Sequence, residues 1–176
     1  MKRLLMCAGV LIAATCSLAA QQNPPASPPE TATGTIAGKA ITITYNSPRV
    51  KGREGHIFTK DGIIKTAHGS QYPIWRGGAN AATTLKTDAN LKIGDLAVPA
   101  GTYTLFVDIS DPDQWTLILS KKTGEWGLAY DASQDLGRVK MKMSKPTSLI
   151  EDLTYTIGDG KITLAWENHE ASVSVH

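Results

Sequence analysis

Six cationic side chains, Arg49, Lys51, Arg53, Lys60, Lys65 and Arg76, stand between Arg49 and Arg76 against two acids, Glu54 and Asp61. From Asp88 to Asp135 the balance reverses, with eight acids against three lysines. A concave surface fed by the first stretch would draw anions to it. Arg53 and Arg76 are the strongest single candidates, because a guanidinium fork holds a carboxylate or phosphate through two parallel hydrogen bonds. Asn80 adds an amide donor, and Lys51 and Trp75 lie close to the two arginines along the chain. Lys51, Arg53, Trp75, Arg76 and Asn80 are therefore the expected ligand-binding set. The competing reading is scaffolding, in which the arginines pair with the acidic stretch or with backbone carbonyls and pin a long loop.

Other chemistry is less legible. His56 and His68, with His169 and Glu167 or Glu170, would make a nitrogen and carboxylate metal set. No ligand spacing such as His-Glu-x-x-His accompanies them, so no metal or other cofactor is expected, and His56 with His68 is the alternative kept open. Asp108, Asp111, Asp113, Asp131 and Asp135 invite a calcium reading, but Ser110 to Asp113 is better explained as a turn whose Asp side chains bond local backbone. A nucleophilic enzyme lacks its parts: there is no Gly-x-Ser-x-Gly elbow, and Ser70 near His68 is a pairing that chance supplies in any polar loop. Gly52 and Gly55 have no following helix to make a phosphate cradle. The four tryptophans, Trp75, Trp115, Trp126 and Trp166, read first as core, although one beside a basic groove could stack on a sugar ring or a peptide.

These residues must be positioned by whatever remains after export. Lys2 and Arg3 form a basic start, Leu4 to Ala14 is apolar or small throughout, and Ser17 to Ala20 offers small residues for a signal peptidase, so residues 1–20 read as a signal peptide. Such a run is too short to span a bilayer, which takes roughly 20 apolar residues. Cys7 and Cys16 both lie within it, so disulfides and cysteine chemistry are not expected in the mature chain. Lipidation at Cys16 is the less favoured alternative, because Ala13-Ala14-Thr15 lacks the branched residue and the small residue that normally precede such a cysteine. Loss of Lys2 and Arg3 leaves sixteen basic against sixteen acidic residues, which argues against a nucleic-acid binder. Residues 21–33 (QQNPPASPPETAT) hold no large apolar side chain and read as a disordered spacer.

From Gly34 to His176 the chain reads as one all-β domain. Ala40 to Tyr45 alternates apolar residues with Thr and stops at Asn46-Ser47-Pro48. Leu91 to Val98 turns at Gly94-Asp95; Tyr103 to Ile109 and Trp115 to Leu119 flank Ser110 to Asp113; Leu153 to Trp166 turns at Gly158-Asp159-Gly160. Val139, Met141 and Met143 alternate with Arg138, Lys140 and Lys142, one face inward and one in water. Together these predict roughly nine short strands in a single antiparallel β-sandwich, jelly-roll-like or an open barrel. Tyr103, Phe106, Trp115 and Leu117 should be buried, and Lys140 and Lys142 exposed. Pro48 to Ile74 is the long irregular stretch, and loops of that length are more often functional or mobile than inert.

Three blocks carry a family resemblance: Tyr45 to Arg53 (YNSPRVKGR), Trp75 to Thr84 (WRGGANAATT) and Pro99 to Phe106 (PAGTYTLF). Trp115-Thr116, Trp126-Gly127 and Tyr130-Asp131 follow in order. From Gly34 to the C-terminus the chain resembles the domain of unknown function 2911 family. The resemblance implies an exported bacterial β-rich domain without an assigned activity. Between Arg53 and Trp75 the chain departs from that pattern, since the family often has a shorter, more apolar connection ending in Tyr-Gly; a site on this loop would be particular to this protein. The expected function is a periplasmic or secreted, non-catalytic binding or interaction module of the cell envelope for an anionic or polar ligand or an envelope protein, with no membrane span after cleavage. A small exported hydrolase with loop-borne carboxylates and histidines is the alternative.

Overall fold

A computed structural model describes residues 25–67, 69–124, 126 and 130–176. The expected signal peptide, both cysteines and His68 lie outside the described residues, as does the start of the expected spacer. The described chain is nearly all β, and every strand pairing is antiparallel. Its strands are β1 (Pro29–Ile36), β2 (Lys39–Asn46), β3 (Ile74–Trp75), β4 (Thr83–Thr87), β5 (Leu91–Ile93), β6 (Leu96–Val98), β7 (Gly101–Asp108), β8 (Thr116–Ser120), β9 (Asp135–Lys140), β10 (Lys142–Ser144), β11 (Ile150–Gly158), β12 (Lys161–Glu167) and β13 (His169–Ser174). The larger sheet runs β1-β2-β4-β7-β8-β9, with β3 pairing to the far end of β7. The smaller runs β10-β13-β12-β11, and β5-β6 is a separate hairpin.

Turn chemistry sets these pairings. Gly94-Asp95 joins β5 to β6, and Asp159-Gly160 joins β11 to β12 with both residues in the left-handed region, at φ 50° and 68°. Such turns match the twist of the strands they connect. Ala37-Gly38, at φ 50° and 77°, joins β1 to β2 in the same way.

Strand β1 corrects the extent of the spacer, because Pro29 to Thr33 is already paired with β2. This segment contributes little apolar surface and is held through its main chain, and Pro29 is tolerated at the first position of an edge strand where no ladder hydrogen bond is demanded of it. With β1, the short strands β3 and β4, and the division of Val139 to Met143 into β9 and β10 at Met141, the described chain has thirteen strands rather than nine. Met141 is buried, and its N donates to Trp115 O at 2.9 Å as the chain passes from one sheet to the other.

Residues from both sheets share one core, including Ile41, Ile43, Leu85 and Leu105 from the larger and Leu153, Tyr155, Leu164 and Val173 from the smaller. Strand β7 is buried on both faces: Tyr103, Leu105 and Val107 enter this core, while Phe106 meets Tyr130 edge-on at 5.1 Å. Trp115 and Leu117 are buried as expected, and Lys140 and Lys142 are exposed. A one-residue slip would have placed those lysines in the core. The irregular stretch from Pro48 to Ile74 is tethered, since Val50, Ile57 and Ile64 are core residues and α1 (Ile63–Thr66) forms a single turn within it.

Candidate functional site

The site begins where the chain leaves the larger sheet. After β2, Ser47 to Val50 turns away to pair with Glu151 to Leu153 of β11: Val50 N donates to Glu151 O at 2.8 Å, Leu153 N to Pro48 O at 3.0 Å, and the buried Ser47 hydroxyl to Leu153 O at 2.7 Å. Arg49 is fixed by Asp152 at 2.8 Å. The next residues curl through Lys51 and Gly52, at φ 46° and 70°, and swing Lys51 and Arg53 to one side of an open cavity of about 470 Å³.

The opposite side is the Trp75 to Asn80 turn. Trp75 Nε1 donates to Gly78 O at 3.0 Å, Ala79 N to Asn46 O at 3.1 Å, and the buried Tyr155 hydroxyl to Gly77 O at 2.8 Å. Gly77 has φ 60°, and a Cβ there would collide with the Tyr155 hydroxyl and Leu105. Arg76 Nη1 donates to Asn80 O at 2.6 Å, which holds Asn80 at φ 54°. Asn80 Nδ2 reaches Ser27 O at 3.4 Å, and Asn46 Nδ2 reaches the same oxygen at 3.2 Å, so the segment before β1 closes one rim.

All five residues expected to bind ligand, Lys51, Arg53, Trp75, Arg76 and Asn80, line this cavity. Part of the scaffolding reading also holds: Arg53 donates through Nε to Val50 O at 3.0 Å and through Nη2 to Arg49 O at 2.5 Å. Neither arginine pairs with the acidic stretch among the described residues. Arg76 is half-buried, and desolvation pulls its pKa below the ordinary arginine range. The described lining holds three cations and no Asp or Glu. Elsewhere cations meet partners readily: Arg138 bridges Asp135 at 2.9 Å and Asp108 at 3.8 Å and donates to the Tyr130 hydroxyl, and Lys65 lies over the Tyr72 ring.

Behind the cavity lies an aromatic cluster. Trp75 stacks on Trp166 at 5.9 Å, Phe58 meets both edge-on, and Trp115 stacks on His169 at 5.4 Å. Trp75, Trp115 and Trp166 are buried, as core residues should be; Trp126 is 64% exposed and lines the cavity instead. Sequence reasoning left it out of the site because its Gly-flanked stretch has no alternation to fix a face. Ser27, Ile63, Ile64, Gln71 and Trp166 also line the cavity unforeseen, since the first lay in the expected spacer and the rest reach it only through tertiary folding.

The remaining candidates have local roles. His56 is exposed on the loop, away from the cavity lining, and its main chain accepts from Ile63 N. His169 turns to the buried Glu167, Nδ1 to Oε2 3.3 Å, while Glu167 Oε1 accepts from Gly55 N at 2.6 Å and so ties the cationic loop to the β12-β13 turn. Among the described residues no three His, Cys, Asp or Glu side chains gather as a metal-binding group. Ser70 donates to Ile64 O at 2.6 Å as a loop pin. Asp111 accepts from Asp113 N, the local turn bonding expected of it, and Asp131 likewise accepts from Ser133 N.

A family model described as a protein of unknown function (DUF2911) matches residues 27–175. No curated protein and no solved structure matches the chain.

Proposed function

The chain belongs to the DUF2911 family, and from the geometry of its cavity we propose that it is an exported, non-catalytic binding module of the cell envelope that takes an anionic or polar ligand. The scaffold in this reading is an antiparallel β-sandwich, its two sheets sharing one core and its cavity built on the loops that leave β2 and β3. One observation carries the proposal: Lys51, Arg53 and Arg76 face a single cavity with no carboxylate in its described lining. Like charges held together repel, and a half-buried guanidinium loses hydration, so an incoming anion gains from both terms. A volume of about 470 Å³ suits a small molecule, since ligand pockets commonly span roughly 300–1,000 Å³. Export rests on the basic start and apolar run of residues 1–20. The hydrolase alternative calls for facing carboxylates or histidines, and no such group lines the described cavity.

Arg76→Ala and Arg76→Lys test the reading by thermal melting with and without phosphate or acetate. Truncation removes one hydrogen bond worth about 1 kcal/mol but also a desolvated cation, so resting stability should change by less than about 1 kcal/mol. The anion response should vanish in Arg76→Ala and weaken in Arg76→Lys, which keeps the charge and loses the fork. At a hundred times its dissociation constant a ligand stabilises by about 2.7 kcal/mol, well within reach of a melt. If no anion shifts the wild type and truncation unfolds the protein, the cavity is scaffolding.

A further inference from the structure

We infer that the ligand is an organic anion with an apolar, flat-faced body, its charged end on Arg76 and Arg53 and its body against Trp126. The inference deepens the anion-binding reading and rests on it. Two independent features meet in the cavity. Trp126 and Leu149 are the large apolar side chains that stand exposed among the described residues, and Trp126, at 64%, is the more open of the two. It also lines the cavity that holds Lys51, Arg53 and Arg76, none of whose side chains meets a carboxylate among the described residues. An exposed indole face leaves a large apolar area in water, and covering it is favourable.

The other walls decide between an apolar body and a hydroxylated one. Ile63, Ile64, Ala67 and Ile74 line the same cavity as the tryptophans and the cations. Their side chains offer no donor or acceptor, so a sugar acid would strand ring hydroxyls against them, whereas a hydrocarbon or heteroaromatic body loses nothing there. The polar side chains of the lining are the three cations, Asn80, Gln71, Ser27 and Ser70, and the Ser70 hydroxyl is already taken by Ile64 O and Tyr72 N. The division into a charged rim and an apolar wall matches an amphipathic acid bound end-on.

Calorimetric titration of the full chain with four probes tests this: acetate, indole-3-acetate, indole-3-ethanol and glucuronate. Indole-3-acetate should bind about tenfold or more tighter than acetate through burial and stacking. It should likewise exceed the neutral alcohol, which lacks the charge, and glucuronate, which lacks the apolar body. Trp126→Ala, at an exposed position, should cut indole-3-acetate affinity roughly fivefold to tenfold and leave acetate unchanged. Arg76→Ala should weaken both acids. Glucuronate matching indole-3-acetate, or Trp126→Ala altering neither acid, overturns the apolar-body inference while the anion reading stands. The alcohol matching the acid overturns the anion reading, and no binding by any probe overturns both.

Discussion

Tyr155→Phe probes the joint between the smaller sheet and the Trp75 to Asn80 turn. The Tyr155 side chain is buried, and its hydroxyl donates to Gly77 O at 2.8 Å. Burial drives its pKa far above the ordinary tyrosine value, so it acts as a neutral donor throughout the accessible pH range. Phenylalanine keeps the ring, including its edge contact with Tyr45 at 4.9 Å, and removes only the donor. The Gly77 carbonyl is then left unpaired in a buried turn, at a cost of about 1–3 kcal/mol. At roughly 2–4 °C per kcal/mol for a chain of this size, the melting temperature should fall by about 2–12 °C, and the urea midpoint should fall with the slope unchanged. Tyr45→Phe is the control, because the Tyr45 hydroxyl only accepts a weak contact from Tyr155 N at 3.4 Å; its loss should cost less than about 1 kcal/mol. Equal midpoints for wild type and Tyr155→Phe, or equal losses for the two variants, would refute the idea that this hydroxyl holds the turn.

Two further outcomes concern the tether on the cationic loop. Glu167→Ala should destabilise by about 1.5–3 kcal/mol and open the Lys51 to Thr59 segment to limited proteolysis, because it orphans Gly55 N–H and removes the partner of His169, whereas Glu167→Gln keeps an acceptor and should lose less. Burial lowers the His169 pKa below its usual 6.5, with Lys145 acting in the same direction and Glu167 opposing. The unfolded chain therefore binds more protons than the folded one in that window, so the stability contribution is present above about pH 6.5 and lost as pH falls. Urea midpoints between pH 8 and pH 5 should decline less in His169→Asn than in wild type, and parallel curves would remove His169 as the cause.

Alternation and turn residues carried most of the strand reading. Val139, Met141 and Met143 against Lys140 and Lys142 fixed a face, and Gly94-Asp95 and Asp159-Gly160 fixed two hairpins, because both signals act over a few neighbouring residues. The first part of β1, Pro29 to Thr33, escaped because it is held mainly by main-chain pairing with β2, with Ala32 its only side chain packed on the core; the buried Ile36 lies beyond it. The cationic rim was legible for a different reason: charge clustering survives in the sequence however the loop folds. Trp126 and the isoleucines of the loop were not, since their place on one cavity depends on β2, β3 and β11 meeting in space, which no local pattern encodes.

The two sides of the site are held in shape by turns that the rest of the fold fixes. Lys51 and Asn80 sit at φ 46° and 54° on its two sides, the left-handed backbone that Ala37 and Asp159 also adopt in the hairpins; it costs Lys51 about 1–2 kcal/mol, and Asn80 less because its short amide side chain tolerates it. Both are positioned by hydrogen bonds that the fold supplies: Lys51 N donates to Glu151 Oε1 at 2.8 Å, and Asn80 O accepts from Arg76. Glu151 thus takes the main chain of Lys51, and Asp152 takes the neighbouring Arg49, so two carboxylates stand at the edge of the cationic loop without lining the cavity. A loop shaped for stability alone would turn one of them inward to meet Arg53 or Arg76. Desolvation of Arg76 and an exposed Trp126 converge on one cavity, and a ligand bearing a negative charge and an apolar face relieves both together.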